Sequence, residues 1–217
     1  MLSYGNMNPK ELLVKGALEI GFSCSTKDIN KFMIFLSELK KWNKTYNLTA
    51  LKTDNDIIIK HFLDSILYLK PFPEGRLNIA DAGSGAGFPG IPIKIISPDI
   101  NVTLIESSRK KATFLRHIIR LLNLTGISVI EERIEDLGDE YKKSFDIVVS
   151  RATFKIKRFV EIASPYLKEN GLLVLSKGPR LIEELDEMPY DGCYVESILN
   201  LQLPFIEDKR NLILLKC

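Results

Sequence analysis

The chain is poor in the residues that staple, chelate or anchor. Its 217 residues include three cysteines, two histidines and one tryptophan. Cys24, Cys193 and Cys217 have neither metal-ligand nor redox spacing, and their odd number argues against a disulfide framework. The expectation is a reducing compartment. His61 and His117 lack the supporting ligands a metal site needs, so no metal is expected. The first residues have no charged start followed by an apolar run, and no apolar stretch is long enough to span a bilayer. A cytoplasmic protein with no membrane partner is expected. Low-complexity tracts and solenoid repeats are also missing.

Charge of either sign is nearly balanced, at net +2. That excludes little, and its distribution says slightly more. Residues 1–70 carry ten lysines and no arginine against seven acids, and Arg109, Lys110, Lys111, Arg116 and Arg120 crowd one predicted helix. A basic face suits RNA, although charge runs are usually plain solvated surface.

What is present is an ordinary globular balance, 45% hydrophobic and 27% charged, enough for one α/β domain with an appendage. Residues 8–70 read as helices only. Ser25–Asp28 forms a capping-box signature ahead of apolar residues at helical spacing, and Thr53–Asp56 offers a second start. From residue 76 the pattern alternates. Leu77–Ala80, Val102–Ile105, Ser128–Ile130, Phe145–Val149 and Leu172–Leu175 are short apolar runs, as strands covered on both faces require. Helices are expected over Gly90–Ile96, Arg109–Leu122, Lys155–Leu167 and Arg180–Glu187. Val195–Leu203 and Asn211–Lys216 are too close for a helical crossover and should pair antiparallel. A Rossmann-like, doubly wound α/β sheet with a reversed last strand is the class I methyltransferase pattern. The expected division is a helical extension at 1–73 and a cofactor-binding domain at 74–217.

The most informative segment runs Asp81-Ala-Gly83-Ser-Gly85-Ala-Gly87-Phe88-Pro89-Gly90, between the first strand and a helix. In a parallel sheet that is where nucleotide-like ligands sit. Its acid-x-Gly-x-Gly-x-Gly spacing differs from the dinucleotide fingerprint, whose helix N-terminus must receive a pyrophosphate. S-adenosylmethionine has no phosphate, and Asp81 suits a cationic ligand. A nucleotide-dependent oxidoreductase is therefore the weaker reading. Glu106 ends the second strand, where an acid can accept both ribose hydroxyls or else cap the following helix beside Ser107 and Ser108. Arg133-Ile134-Glu135-Asp136 follows the third strand, where this fold usually holds an adenine.

Three runs together resemble the glucose-inhibited division protein B (RsmG) family of bacterial 16S rRNA guanine-N7 methyltransferases. They are Trp42-Asn43-Lys-Thr-Tyr-Asn47-Leu48-Thr49, His61-Phe-Leu-Asp64-Ser65, and Asp81 through Pro92. Glu106–Lys111 with Phe114 and Leu115, Phe145 through Ala152, and Lys177-Gly178 agree with it. The resemblance implies S-adenosylmethionine as methyl donor, a guanine of the small ribosomal subunit as acceptor, and cofactor contacts at Gly83, Phe88, Ile134, Glu135 and Arg151. Asp81, Gly85 and Glu106 are further cofactor-side candidates. A monomer acting on 16S rRNA is expected, with an RNA-binding assembly factor without turnover as the alternative.

Absent motifs agree with N7 chemistry. Guanine N7 carries a lone pair and no proton, so no general base is required. The Asn/Asp-Pro-Pro-aromatic run of amino-group enzymes is missing after the fourth strand, and no cysteine is placed for attack on a pyrimidine ring. Arg151 is expected to orient the cofactor carboxylate or the guanine edge, or else to pair with Asp81 or Asp146. His61 and Asp64 could orient rRNA or tie the extension to the sheet. Trp42 and Tyr46 could stack on a base, though core packing is the commoner fate of such a Trp. Lys177, Arg109 and Lys110 are weaker candidates for phosphate contact.

Overall fold

A computed structural model describes residues 7–151, 154–177, 181–186 and 192–217. Ala152 and Gly178 of the motifs above, and both ends of the helix expected at 180–187, lie outside the described residues.

Two helices open the chain. α1 (Pro9–Glu19) starts on a capping box between Asn8 and Glu11, and α2 (Thr26–Tyr46) on the expected one between Ser25 and Asp28. Asn47, in the left-handed region at φ 50°, ends α2. The next helical segment, capped by Thr53 as expected, is not uniform. α3 (Asp54–Ile57) leads into a π-helical turn (Ile58–Leu63), then α4 (Asp64–Ile66) and a 3-10 turn (Leu67–Leu69). π-turns are rare and concentrate at functional sites. Here the wide turn presents the Lys60 carbonyl to the sheet, where Arg151 donates to it.

The sheet has seven strands: β1 (Asn78–Ala82), β2 (Asn101–Ile105), β3 (Ile127–Ile130), β4 (Phe145–Arg151), β5 (Leu167–Lys177), β6 (Tyr194–Gln202) and β7 (Lys209–Lys216). Their order is β3-β2-β1-β4-β5-β7-β6, parallel through the first five, with β7 antiparallel to both β5 and β6. This is the expected doubly wound topology with a reversed last strand. α5 (Gly90–Ile96), α6 (Arg109–Leu121), α7 (Ile156–Ala163) and α8 (Leu181–Asp186) complete it.

Two boundaries differ most from the sequence reading. α7 stops at Ala163 because Pro165 cannot donate a helix hydrogen bond, and a 3-10 turn (Ser164–Tyr166) follows. β5 then begins at Leu167, five residues early, and absorbs Asn170 and Gly171 as an irregularity in its register with β4.

The disulfide expectation is also corrected. Cys193 and Cys217 are bonded, with Cα atoms 4.1 Å apart. The β6–β7 register sets Tyr194 opposite Lys216, so these cysteines are the next pair outward. Linear spacing cannot reveal a partnership made by strand register. Cys24 is the free thiol, and burial pushes it up to about 11, with Asp28 adding to the shift.

The core divides by sheet face. On one side Leu13, Phe32, Phe35, Phe62 and Leu63 of the extension pack with Ile79, Ile91, Leu104 and Phe114 in a single continuous cluster. On the other, Phe159, Val148, Leu173 and Ile213 pack together. Gly16 shows how close the first contact is, since a Cβ there would sit 2.3 Å from Leu63 Cδ1.

Candidate functional site

The glycine loop leaves β1 at the carboxyl edge of the parallel strands and is fixed from beneath. Asp81 is fully buried, and its Oδ2 accepts the Gly90 N–H at 2.9 Å. Its Oδ1 is buried without a hydrogen-bond partner among the described residues. Burial pushes this carboxyl up to about 7, against the Gly90 hydrogen bond and the Arg151 charge. Gly90 must lack a side chain, because a Cβ would lie 2.4 Å from Leu104 Cδ2 and 2.9 Å from Asp81 Oδ2. Gly83 and Gly85 adopt φ of 72° and 58°, which glycine reaches without strain. Ser84 closes the turn by donating to the Asp81 carbonyl at 2.8 Å.

Glu106 meets the loop from β2. One carboxylate oxygen accepts the Gly85 N–H at 2.8 Å, and the other accepts the Ser108 N–H at 2.8 Å. Glu106 therefore organises the start of α6 and also lines a cleft of ≈ 310 Å³ together with Gly83, Lys111, Glu132, Ile134 and Glu135. Four predicted residues thus converge, Gly83, Glu106, Ile134 and Glu135. Glu135 also accepts from Arg158 Nη2 at 3.2 Å. Asp81 and Gly85 lie behind the cleft as its scaffold.

Phe88 and Arg151 belong to a second assembly. Phe88 is buried between Phe35 (5.2 Å, 20°) and His61 (4.5 Å, 23°), and the Arg151 guanidinium lies 5.0 Å over its ring. Arg151 Nη1 donates to the Lys60 carbonyl at 3.2 Å and to Asp64 Oδ2 at 3.4 Å. Its ion-pair partner is thus Asp64 of the helical extension rather than the expected Asp81 or Asp146. Asp146 is taken by Lys168 at 2.9 Å. The other Asp64 oxygen accepts from Arg210 Nε at 2.9 Å. Burial pushes Asp64 up, and both arginines oppose that shift. His61 and Asp64 thus tie the extension to the sheet.

His61 is neutral. Its Nδ1 faces the Lys60 carbonyl at 3.1 Å, and a carbonyl can only accept, so Nδ1 carries the proton. Nε2 then accepts from the Thr49 hydroxyl at 2.7 Å. Burial, then Arg151, lowers its pKa from 6.5 to about 3. A histidine that must fold neutral stabilises fully above 6.5 and progressively less as pH falls toward 3. His61→Gln should therefore melt with a shallower loss of stability between these limits. Parallel slopes for variant and wild type in melts across pH would rule this out.

Trp42 packs against Phe114 (5.4 Å) and His117 (5.2 Å), its core role. Lys177 is committed to Glu184 at 2.6 Å, whereas Arg109 and Lys110 are exposed at the start of α6. Sequence reasoning missed Arg210 altogether, because only the strand reversal brings it to this edge. Asn43, whose amide exchanges two 2.9 Å hydrogen bonds with the Thr49 backbone, stood in a quoted motif without a role.

A family model described as rRNA small subunit methyltransferase G (GidB) matches residues 28–213. A ribosomal RNA small subunit methyltransferase G of Geobacter sp. (strain M21) is 41% identical over 210 residues, covering 95% of this chain and 96% of its own. The protein of that name from Acetivibrio thermocellus is 37% identical, covering 95% and 88%. Among solved structures, a SAM dependent methyltransferase from Aquifex aeolicus superposes with a TM-score of 0.58 at 16% identity, covering 83% of this chain and 97% of that one. TrmN from Thermus thermophilus gives 0.59 at 13%, covering 82% and 52%.

Proposed function

Because the chain belongs to the rRNA small subunit methyltransferase G family, we propose that it methylates N7 of a guanine in bacterial 16S rRNA, with S-adenosylmethionine as donor. The observation that carries this reading is the cleft at the ends of β1, β2 and β3, where the glycine loop meets Glu106. The residues fit the donor. Glu106 is fixed by two backbone N–H groups and keeps lone pairs toward the cleft for ribose hydroxyls. Ile134 and Glu135 flank the place for adenine, while Asp81, buried behind the cleft, holds the loop in shape through the Gly90 N–H.

S-adenosylmethionine supplies an electrophilic methyl group, which the N7 lone pair takes as the carbon–sulfur electron pair returns to sulfur, with no proton to remove. The protein's task is alignment and electrostatics. Phe88, Arg151 and His61 form a stacked wall beside the glycine loop, and the π-turn carbonyl of Lys60 fixes the guanidinium. Arg151 orients the donor's carboxylate from there. Residues 1–73 serve as the acceptor-side extension and 74–217 as the donor-binding domain. The protein works as a cytoplasmic monomer. A ribosome-assembly factor without turnover is not favoured, since such a factor needs no open cleft beside Glu106.

Incubating wild-type protein and labelled S-adenosylmethionine with small subunits from cells lacking the gene should place N7-methylguanosine in 16S rRNA. Absence of that nucleoside, with donor binding retained, would refute the assignment.

A further inference from the structure

The function above leaves a second cavity without a role. It measures ≈ 510 Å³ and is walled by Thr49, His61, Asp64, Arg151, Lys177 and Arg210. It adjoins the donor cleft, because Phe154, which lines that cleft, gives its carbonyl to Lys177. Three of those six walls are cations. The single carboxylate, Asp64, is 5% exposed and already holds both arginines.

Arg210 reaches this cavity because β7 runs backwards. Its first residues lie where the parallel strands end, with Asn211 opposite Lys177 of β5. Nε on Asp64 (2.9 Å) and Nη1 on the Lys209 carbonyl (3.0 Å) fix the guanidinium. Among the described residues Nη2 has only the distant Asp208 carboxylate, at 3.9 Å. A planar donor is thereby held at the cavity wall with N–H groups to give.

We infer that this cavity is the acceptor pocket, holding a guanosine turned out of the RNA strand, with Arg210 donating to guanine O6. The inference rests on the proposed methyl transfer and deepens it. A base stacked in a helix cannot reach into a cavity between the extension and the sheet, so the nucleotide must be everted. A guanidinium requires an acceptor. Guanine offers O6 where adenine presents an amino donor, and O6 and N7 share one edge. A donor fixed on O6 therefore sets N7 beside it and leaves that lone pair open. Adenine would oppose N–H to N–H.

The surroundings agree. The loop 49–51 that walls the pocket is clamped by Asn43, and Thr49 is bonded in turn to His61. Across that loop lies a groove of ≈ 650 Å³ that shares Thr49, Ala50 and Leu51 with the pocket and carries Lys40, Lys44 and Lys52. Lys44 and Lys52 make no ion pair among the described residues. Uncommitted lysines beside a base pocket suit the phosphates of flanking nucleotides.

The test compares wild type, Arg210→Ala and Arg210→Lys on small subunits, with S-adenosylhomocysteine affinity measured alongside. Both variants should lose about 10- to 100-fold in kcat/KM for subunits, since a lysine lacks the planar fork, while the affinity stays unchanged. Full activity of Arg210→Ala, beside an active wild type, would overturn the pocket and spare the function. Full activity of Arg210→Lys alone would show that a positive charge suffices there, and would overturn the reading of O6 by a guanidinium held in place. A parallel fall in S-adenosylhomocysteine affinity would move Arg210 to the donor side and overturn it too. Inactive wild type would instead defeat the underlying reaction.

Discussion

Replacing Arg151 with alanine is expected to lower methyl transfer to small subunits by about 100-fold while the protein still folds. The side chain of this β4 residue joins two other parts of the chain: the helical segment 54–69, through the Lys60 carbonyl and the buried carboxylate of Asp64, and the glycine loop, through the face of Phe88. In-line displacement tolerates little misplacement, and an error of about 1 Å can cost two orders of magnitude. The fold survives because Asp64 keeps Arg210 as its counterion at 2.9 Å. Arg151→Lys should recover little, as an ammonium cannot reach carbonyl and carboxylate together while covering an aromatic ring. Turnover within about two-fold of wild type, in a variant whose circular dichroism is unchanged, would exclude a role for this guanidinium.

Asp64→Ala has the largest expected effect on stability. It removes a buried carboxylate that two guanidinium groups share, and breaking a buried pair by removing one member costs about 3–5 kcal/mol. The Arg151 and Arg210 side chains are 17% and 24% exposed, so water relieves part of that cost and the low end, about 3 kcal/mol, applies. For a domain of this size the melting temperature should fall by roughly 6–12 °C. Asp64→Asn should cost less, since its carbonyl oxygen can still accept from one arginine. Combining Asp64→Ala with Arg210→Ala should cost less than the sum of the two, because both remove the same ion pair. A melt indistinguishable from wild type would mean that the pair contributes nothing.

The glycine-loop side of the site was legible in the sequence because it is local. Asp81 through Gly90 lie in one unbroken run between strand and helix, and Glu106 follows at the end of the next strand, so spacing alone carries their placement. The helix caps at Ser25 and Thr53 were legible for the same reason, being contacts three residues apart. The cluster around Arg151 was not. Arg151 meets Asp64 across 87 residues of chain and Arg210 meets it across 146, and no period or motif records such a meeting. The bond between Cys193 and Cys217 belongs to the same class, as does the break in helix 54–69, where tertiary demand for the Lys60 carbonyl overrides an apolar period that reads as one regular helix.

The strand reversal at the end of the sheet bears on how the gene can be damaged. A stop codon falling shortly before Lys209 would spare the glycine loop and Glu106, yet delete β7, the strand that pairs with β5. The shortened product would carry a bare row of peptide groups along Leu172–Lys177, an invitation to pair with other chains, and would lack Arg210 as well. Late nonsense alleles should therefore behave as nulls recovered in the insoluble fraction, rather than as folded enzymes with weakened activity.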